Sequence, residues 1–247
     1  MKSRRLDLPT TLCSALLGAL FSLGLSSVVT AQVPDGMTTI ASYPMIESGD
    51  DMRGSYGPLD LVNTRFAGDS GVWCNGLYVH DAIPGGSLVG TPAISTLRPD
   101  SFAIAVEIYV PTFDGRNHTI VVAGEDFRYL GCGYSGQGDL FAIINGTRFD
   151  IEGLVLSSET WYQLAVSYTG ADSTARLLLD GQEVYQKTTI LSAFVGDDVI
   201  SNTHYGWGVT FLGYMRNLTI ASPVGSTTSV NETSISTPFL DLSMMAR

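Results

Sequence analysis

Glycosidic hydrolysis with retention needs two carboxyl groups on one face, ~5.5 Å apart. Side chains two residues apart on a strand share a face. Asp50-Asp51, Glu125-Asp126 and Asp197-Asp198 are adjacent pairs, whose members would point to opposite faces of any strand. Asp150 and Glu152 have the right spacing, but no third carboxylate follows at Leu154 or Val155, and they read as a solvated strand. His80, His118 and His204 lie in no nucleophile-elbow or metalloprotease motif. No catalytic set is therefore assigned from these residues.

Binding chemistry has better candidates. A sugar presents apolar C–H faces and many hydroxyls, so its site needs a ring to stack on and nearby acceptors or amides. Ser201-Asn202-Thr203-His204-Tyr205-Gly206-Trp207 offers that mixture most richly. Asp126-Phe127-Arg128-Tyr129 and Gly133-Tyr134-Ser135-Gly136-Gln137 offer it too. Trp207, Tyr205, Asn202 and Tyr134 are the expected ligand contacts, converging in one concave patch.

Strands must carry these loops. In Thr160 to Tyr185, Tyr162, Leu164, Val166 and Tyr168 alternate with Trp161, Gln163, Ala165 and Ser167. That period of two predicts a strand with two different faces. Ala175 to Leu179 is a second strand, and Asp180-Gly181 fits a type I′ turn, which needs positive φ at both central residues. Ser101 to Val110 alternates equally well and ends at Pro111, which cannot donate to a ladder. Shorter strands are expected at Thr38–Met45, Leu59–Val62, Gly71–Val79, Thr119–Ala123, Tyr129–Tyr134, Asp139–Ile144, Val209–Tyr214 and Met215–Ile220. The 27 glycines and 10 prolines among short apolar runs favour strands and tight turns over helices.

Residues 1–31 read as a secretory signal, with Lys2, Arg4 and Arg5 before an apolar run and Val29-Thr30-Ala31 before the expected cut. No later stretch is long and apolar enough for a membrane helix. Cys13 would leave with the signal, and export would place Cys74 and Cys132 in an oxidising compartment, where a disulfide between them is expected. The net charge of −11 argues against nucleic acid or an anionic membrane as partner. Residues 32–222 form one expected domain, and 223–247 a Ser/Thr-rich tail.

Four partial motifs, in order, resemble the laminin-G-like, concanavalin A-like jelly-roll family. They are Tyr43-Pro44-Met45 with its polar loop, the Ser101–Val110 strand, the Trp161-Tyr162…Leu179-Asp180-Gly181 hairpin, and Phe211-x-Gly213-Tyr214-Met215. The resemblance implies an all-β fold: a two-sheet antiparallel β-sandwich with jelly-roll topology. It also implies a possible Ca²⁺ site, with Asp50 and Asp51 in the matching loop as ligands. The Asp of the family's terminal strand is replaced by Arg216, which would repel a cation. Together these readings favour a secreted, non-catalytic module that binds a glycan. An extracellular adhesive domain with a protein ligand is the alternative, and a glycoside hydrolase of the same fold a weaker one.

Overall fold

The computed structural model describes residues 33–77, 79–80, 83–92, 101–124, 130–191, 200–202 and 209–223. Its strands are β1 (Met37–Tyr43), β2 (Asp60–Val62), β3 (Arg65–Phe66), β4 (Val72–Asn75), β5 (Val79–His80), β6 (Ile83–Pro84), β7 (Leu88–Gly90), β8 (Ser101–Val110) and β9 (His118–Ala123). They continue as β10 (Leu130–Tyr134), β11 (Asp139–Ile144), β12 (Thr147–Val155), β13 (Thr160–Thr169), β14 (Thr174–Leu179), β15 (Gln182–Thr188), β16 (Ile200–Ser201), β17 (Val209–Thr210) and β18 (Leu212–Pro223). There is no helix among the described residues, and hence none long and apolar enough to cross a membrane. The expected signal, and the expected tail beyond Pro223, lie outside the described residues.

Two sheets form the sandwich. The first runs β15-β14-β13-β8-β18-β4-β3, with β1 also paired to β18. The second runs β12-β11-β10-β9-β16-β7-β2, with β17 paired parallel to β9. The other pairings are antiparallel, as the sequence predicts. The turns behave as their residues require: Asp180 and Gly181 have φ of 50° and 78°, and Asn145 and Gly146 have φ of 48° and 71°.

The core lies between the sheets. On β8, Phe102, Ile104, Val106, Ile108 and Val110 are fully buried, and Leu164, Val166 and Tyr168 of β13 join them. The second sheet contributes Ile120, Leu130, Tyr134 and Leu140 to the same cluster. Each such side chain contributes ~1.5–3 kcal/mol relative to exposure. The residues between them, Glu107 and Tyr109 on β8 and Trp161 and Gln163 on β13, are thereby turned to the outer face of the first sheet.

Two expectations about β18 and the cysteines are corrected. The closing segment breaks at Phe211 rather than after Tyr214: β17 joins the second sheet, and β18 runs on from Leu212 to Pro223 through a bulge. Arg216 opposes Glu107, Thr219 opposes Ala105, and Asn217 takes φ 53° between them. Cys74 and Cys132 are free thiols and form no disulfide. They are fully buried on β4 of the first sheet and β10 of the second. Cys74 accepts a hydrogen bond from Asn202 Nδ2 at 3.5 Å, and Cys132 lies beside Val121.

Candidate functional site

Of the four residues expected to contact a ligand, two are buried and two lie outside the described residues. Tyr134 is fully buried: its hydroxyl donates to the Leu212 carbonyl at 3.3 Å, and its ring stacks on His118 with centroids 5.0 Å apart. Burial pushes its phenol up. Asn202 is also buried; its Oδ1 accepts from the Val89 N–H at 2.9 Å, joining β7 to the chain just after β16. Both are core polar groups with internal partners and offer nothing to a ligand. Tyr205 and Trp207 lie outside the described residues.

Asp50 and Asp51 do not fit calcium. The Asp51 oxygens accept four backbone N–H groups, from Ser42 and Arg53 on one oxygen and Ser55 and Tyr56 on the other, at 2.9–3.1 Å. Burial alone would raise its carboxyl, but these bonds outweigh it and hold the group below the usual range. Asp51 thus organises the loop after β1, and Asp50 is exposed. Among the described residues no group of three or more His, Cys, Asp or Glu could hold a metal. Asp150 and Glu152 are exposed on edge strand β12, as expected, and Asp150 accepts from Arg148 Nε at 2.6 Å. His118 is buried, its ring nitrogens 2.7 Å from the Thr210 carbonyl and 2.8 Å from Asp114 Oδ1.

A site does assemble on the outer face of the first sheet. Five directly opposed residues cross five strands: Arg65 on β3, Trp73 on β4, Tyr214 on β18, Tyr109 on β8 and Trp161 on β13. Ring centroids are 4.8 Å apart for Trp73–Tyr214, 6.0 Å for Tyr214–Tyr109 and 5.5 Å for Tyr109–Trp161, each pair tilted by 51–59°. All four rings are partly exposed and Arg65 is exposed, its guanidinium 5.8 Å from the Trp73 centroid. Tilted aromatic pairs at this range each contribute ~0.5–1.5 kcal/mol beyond area burial.

A polar row lies beside the rings, two residues further along each strand. Arg216, Glu107 and Gln163 oppose one another on β18, β8 and β13. Arg216 Nε donates to Glu107 Oε2 at 2.8 Å, and Asn217 Nδ2 donates to the other oxygen at 3.1 Å. Arg216 Nη1 donates to the Asp69 carbonyl at 2.7 Å, and its guanidinium lies 4.0 Å from the Trp161 centroid. An open groove of about 400 Å³ follows at this end, lined by Glu107, Trp161, Tyr162, Gln163, Asp180 and Arg216.

Sequence reasoning missed this assembly although part of its signal was visible. Alternation placed Trp161 and Gln163, and Tyr109 and Glu107, on the non-core faces of their strands. It could not say that those strands are neighbours in a register that aligns the rings. The arrangement offers ring surface, hydroxyls, an amide and the exposed carboxylate of Asp180 along one face. That is the equipment of a saccharide-binding surface.

The comparisons agree with this fold. Residues 84–231 match the family model Laminin_G_3, described as the concanavalin A-like lectin/glucanases superfamily. No curated protein matches the chain in sequence. Domain 4 of AbnA, an extracellular GH43 arabinanase from Geobacillus stearothermophilus, solved with arabinotriose, superposes with a TM-score of 0.56 at 15% identity, over 76% of this chain and 94% of that one. A Trypanosoma rangeli sialidase, solved as a covalent intermediate with 2,3-difluorosialic acid, gives a TM-score of 0.55 at 12% identity, over 78% of this chain and 32% of the sialidase. The botulinum neurotoxin serotype D ligand-binding domain, solved with N-acetylneuraminic acid, gives 0.51 at 11% identity, over 75% of this chain and 47% of that one. At these identities the likeness is one of fold, and the chain spans about a third of the sialidase and half of the toxin domain's chain.

Proposed function

Because this chain belongs to the concanavalin A-like lectin/glucanase superfamily, we propose that it is a secreted, non-catalytic carbohydrate-binding module whose ligand lies across the aromatic row of the first sheet. The observation that carries this reading is the unbroken, solvent-facing line Arg65, Trp73, Tyr214, Tyr109, Trp161 with hydrogen-bonding groups alongside. Its breadth favours an oligosaccharide, since five strands set ~4.8 Å apart span roughly 20 Å. The arabinotriose complex of the similar arabinanase domain supports the ligand class.

A binding role is favoured over hydrolysis by the state of the carboxylates. Glu107 is buried with both oxygens accepting hydrogen bonds, and Asp150 is held by Arg148 on an exposed edge strand. Neither is poised to exchange a proton with a ligand on the row.

The test is a glycan array probed with the full chain, followed by calorimetry on the best binder. Trp161→Ala and Trp73→Ala are each expected to weaken binding tenfold or more, about 1.4 kcal/mol, with the circular dichroism spectrum unchanged. If no glycan binds, and row variants instead lose an extracellular protein partner, the adhesive alternative replaces this reading. Release of reducing sugar from any bound glycan would replace it with the hydrolase.

A further inference from the structure

Resting on the glycan reading, we infer that the ligand is a neutral oligosaccharide and that the groove at the Trp161 end of the row excludes acidic sugars. Two carboxylates, Glu107 and Asp180, line this groove, with Arg216 as its one cation among the described residues. That cation is already engaged. Its Nε serves Glu107, its Nη1 serves the Asp69 carbonyl, and its guanidinium carbon lies 4.0 Å from the Trp161 centroid. An arriving carboxylate or sulfate would therefore meet Asp180 beside a guanidinium whose charge Glu107 already offsets. The chain's net charge of −11 opposes a polyanion at longer range as well.

A neutral sugar meets complementary groups instead. Asp180 Oδ1 accepts the Gln163 backbone N–H at 2.8 Å. Its Oδ2 has no partner within the described residues and can accept from a sugar hydroxyl. The Gln163 carboxamide makes no hydrogen bond within the described residues, and it can both donate to and accept from hydroxyls. Trp161 provides the ring at the groove wall. Specificity here combines attraction for hydroxyls with repulsion of charge.

The experiment compares neutral and acidic oligosaccharides on one array, with calorimetry on arabinotriose, xylotriose, cellotriose, trigalacturonate and sialyllactose. Neutral sugars are expected to bind at least tenfold more tightly than acidic ones. Asp180→Asn keeps the positive-φ turn, since Asn suits that position as well as Asp, and it should narrow the neutral-to-acidic ratio about tenfold. Gln163→Ala should weaken neutral binding about tenfold with an unchanged melting temperature. Acidic sugars binding as tightly as neutral ones, with Asp180→Asn silent, overturn this inference and leave the glycan reading standing. No binding to any saccharide on the array overturns both.

Discussion

Arg216 lies over Trp161, its guanidinium carbon 4.0 Å from the ring centroid, while its Nε holds the buried carboxylate of Glu107 at 2.8 Å. One side chain thus neutralises an internal charge and props a ring of the candidate site. The loss of that side chain should be felt in both stability and binding.

Glu107 is 5% exposed, so removing its cation leaves a nearly buried carboxylate with Asn217 as its one side-chain donor among the described residues. Breaking a buried pair costs ~3–5 kcal/mol. Because Arg216 is 30% exposed, Arg216→Met is expected to cost about 2–3 kcal/mol. That is a fall of roughly 5–10 °C in melting temperature. The double variant Glu107→Gln/Arg216→Met should recover much of the loss. Equal melting temperatures for the single and double variants would show that charge burial is not the cause.

Acid should act through Asp114. Burial alone would raise its carboxyl, but hydrogen bonds from Arg116 and His118 outweigh it and hold the group at about 2. The folded value is below the unfolded one of ~3.9, so the stabilisation is fully present above about pH 4 and is lost as the pH falls toward 2. Asp114 is exposed, so solvent screening reduces the stabilisation from such a shift to about 1 kcal/mol. Urea melts of wild type and Asp114→Asn should differ by about that much near neutrality and converge in acid. A gap that stays constant with pH would count against the linkage.

Gly213 has φ +144° on β18, and a Cβ there would collide with the Tyr109 carbonyl oxygen. Gly213→Ala should therefore cost more than about 2 kcal/mol, since both backbone strain and overpacking act. Gly115 has φ +82° with open space around it, so Gly115→Ala carries strain alone, about 1 kcal/mol. Denaturant titration giving the same loss for both would remove the steric argument.

Burial pushes both Cys74 and Cys132 up to about 12. Neither should react with a thiol reagent in the native protein, because the thiolate is the reactive form. Both should alkylate in denaturant without reductant. A cross-linked peptide pair containing Cys74 and Cys132 in the digest would restore the disulfide.

Local chemistry was legible in the sequence wherever it alone decides the outcome. The strict alternation of Ser101–Val110 fixed a strand and its two faces, and Asp180-Gly181 fixed a turn. The order of motifs identified the sandwich. Tyr134 shows what local reading loses. Flanked by Gly133 and Ser135, it resembles a loop aromatic, yet its strand lies inside the second sheet with neighbours on both edges. Asp51 looks like a cation ligand until its four N–H partners, brought in by the loop's own fold, are known. The aromatic row depends on register between strands more than thirty residues apart in sequence, such as Tyr109 with Tyr214, and no local pattern encodes that.

The bulge in β18 works like a reading-frame change. Before it, Tyr214 and Arg216 face outward. Beyond it, Thr219 and Ala221 do so, although the count from Arg216 to Thr219 is odd. The extra residue lets two consecutive side chains, Arg216 and Asn217, reach the same carboxylate. Deleting Asn217 would remove the bulge and restore plain alternation, with Thr219 still opposite Ala105 and Leu218 and Ile220 still in the core, but Glu107 would lose its second donor. What the extra residue adds is therefore a second hydrogen bond to the buried carboxylate of the outer face, while the division between aromatic row and core is carried by the alternation on either side of it.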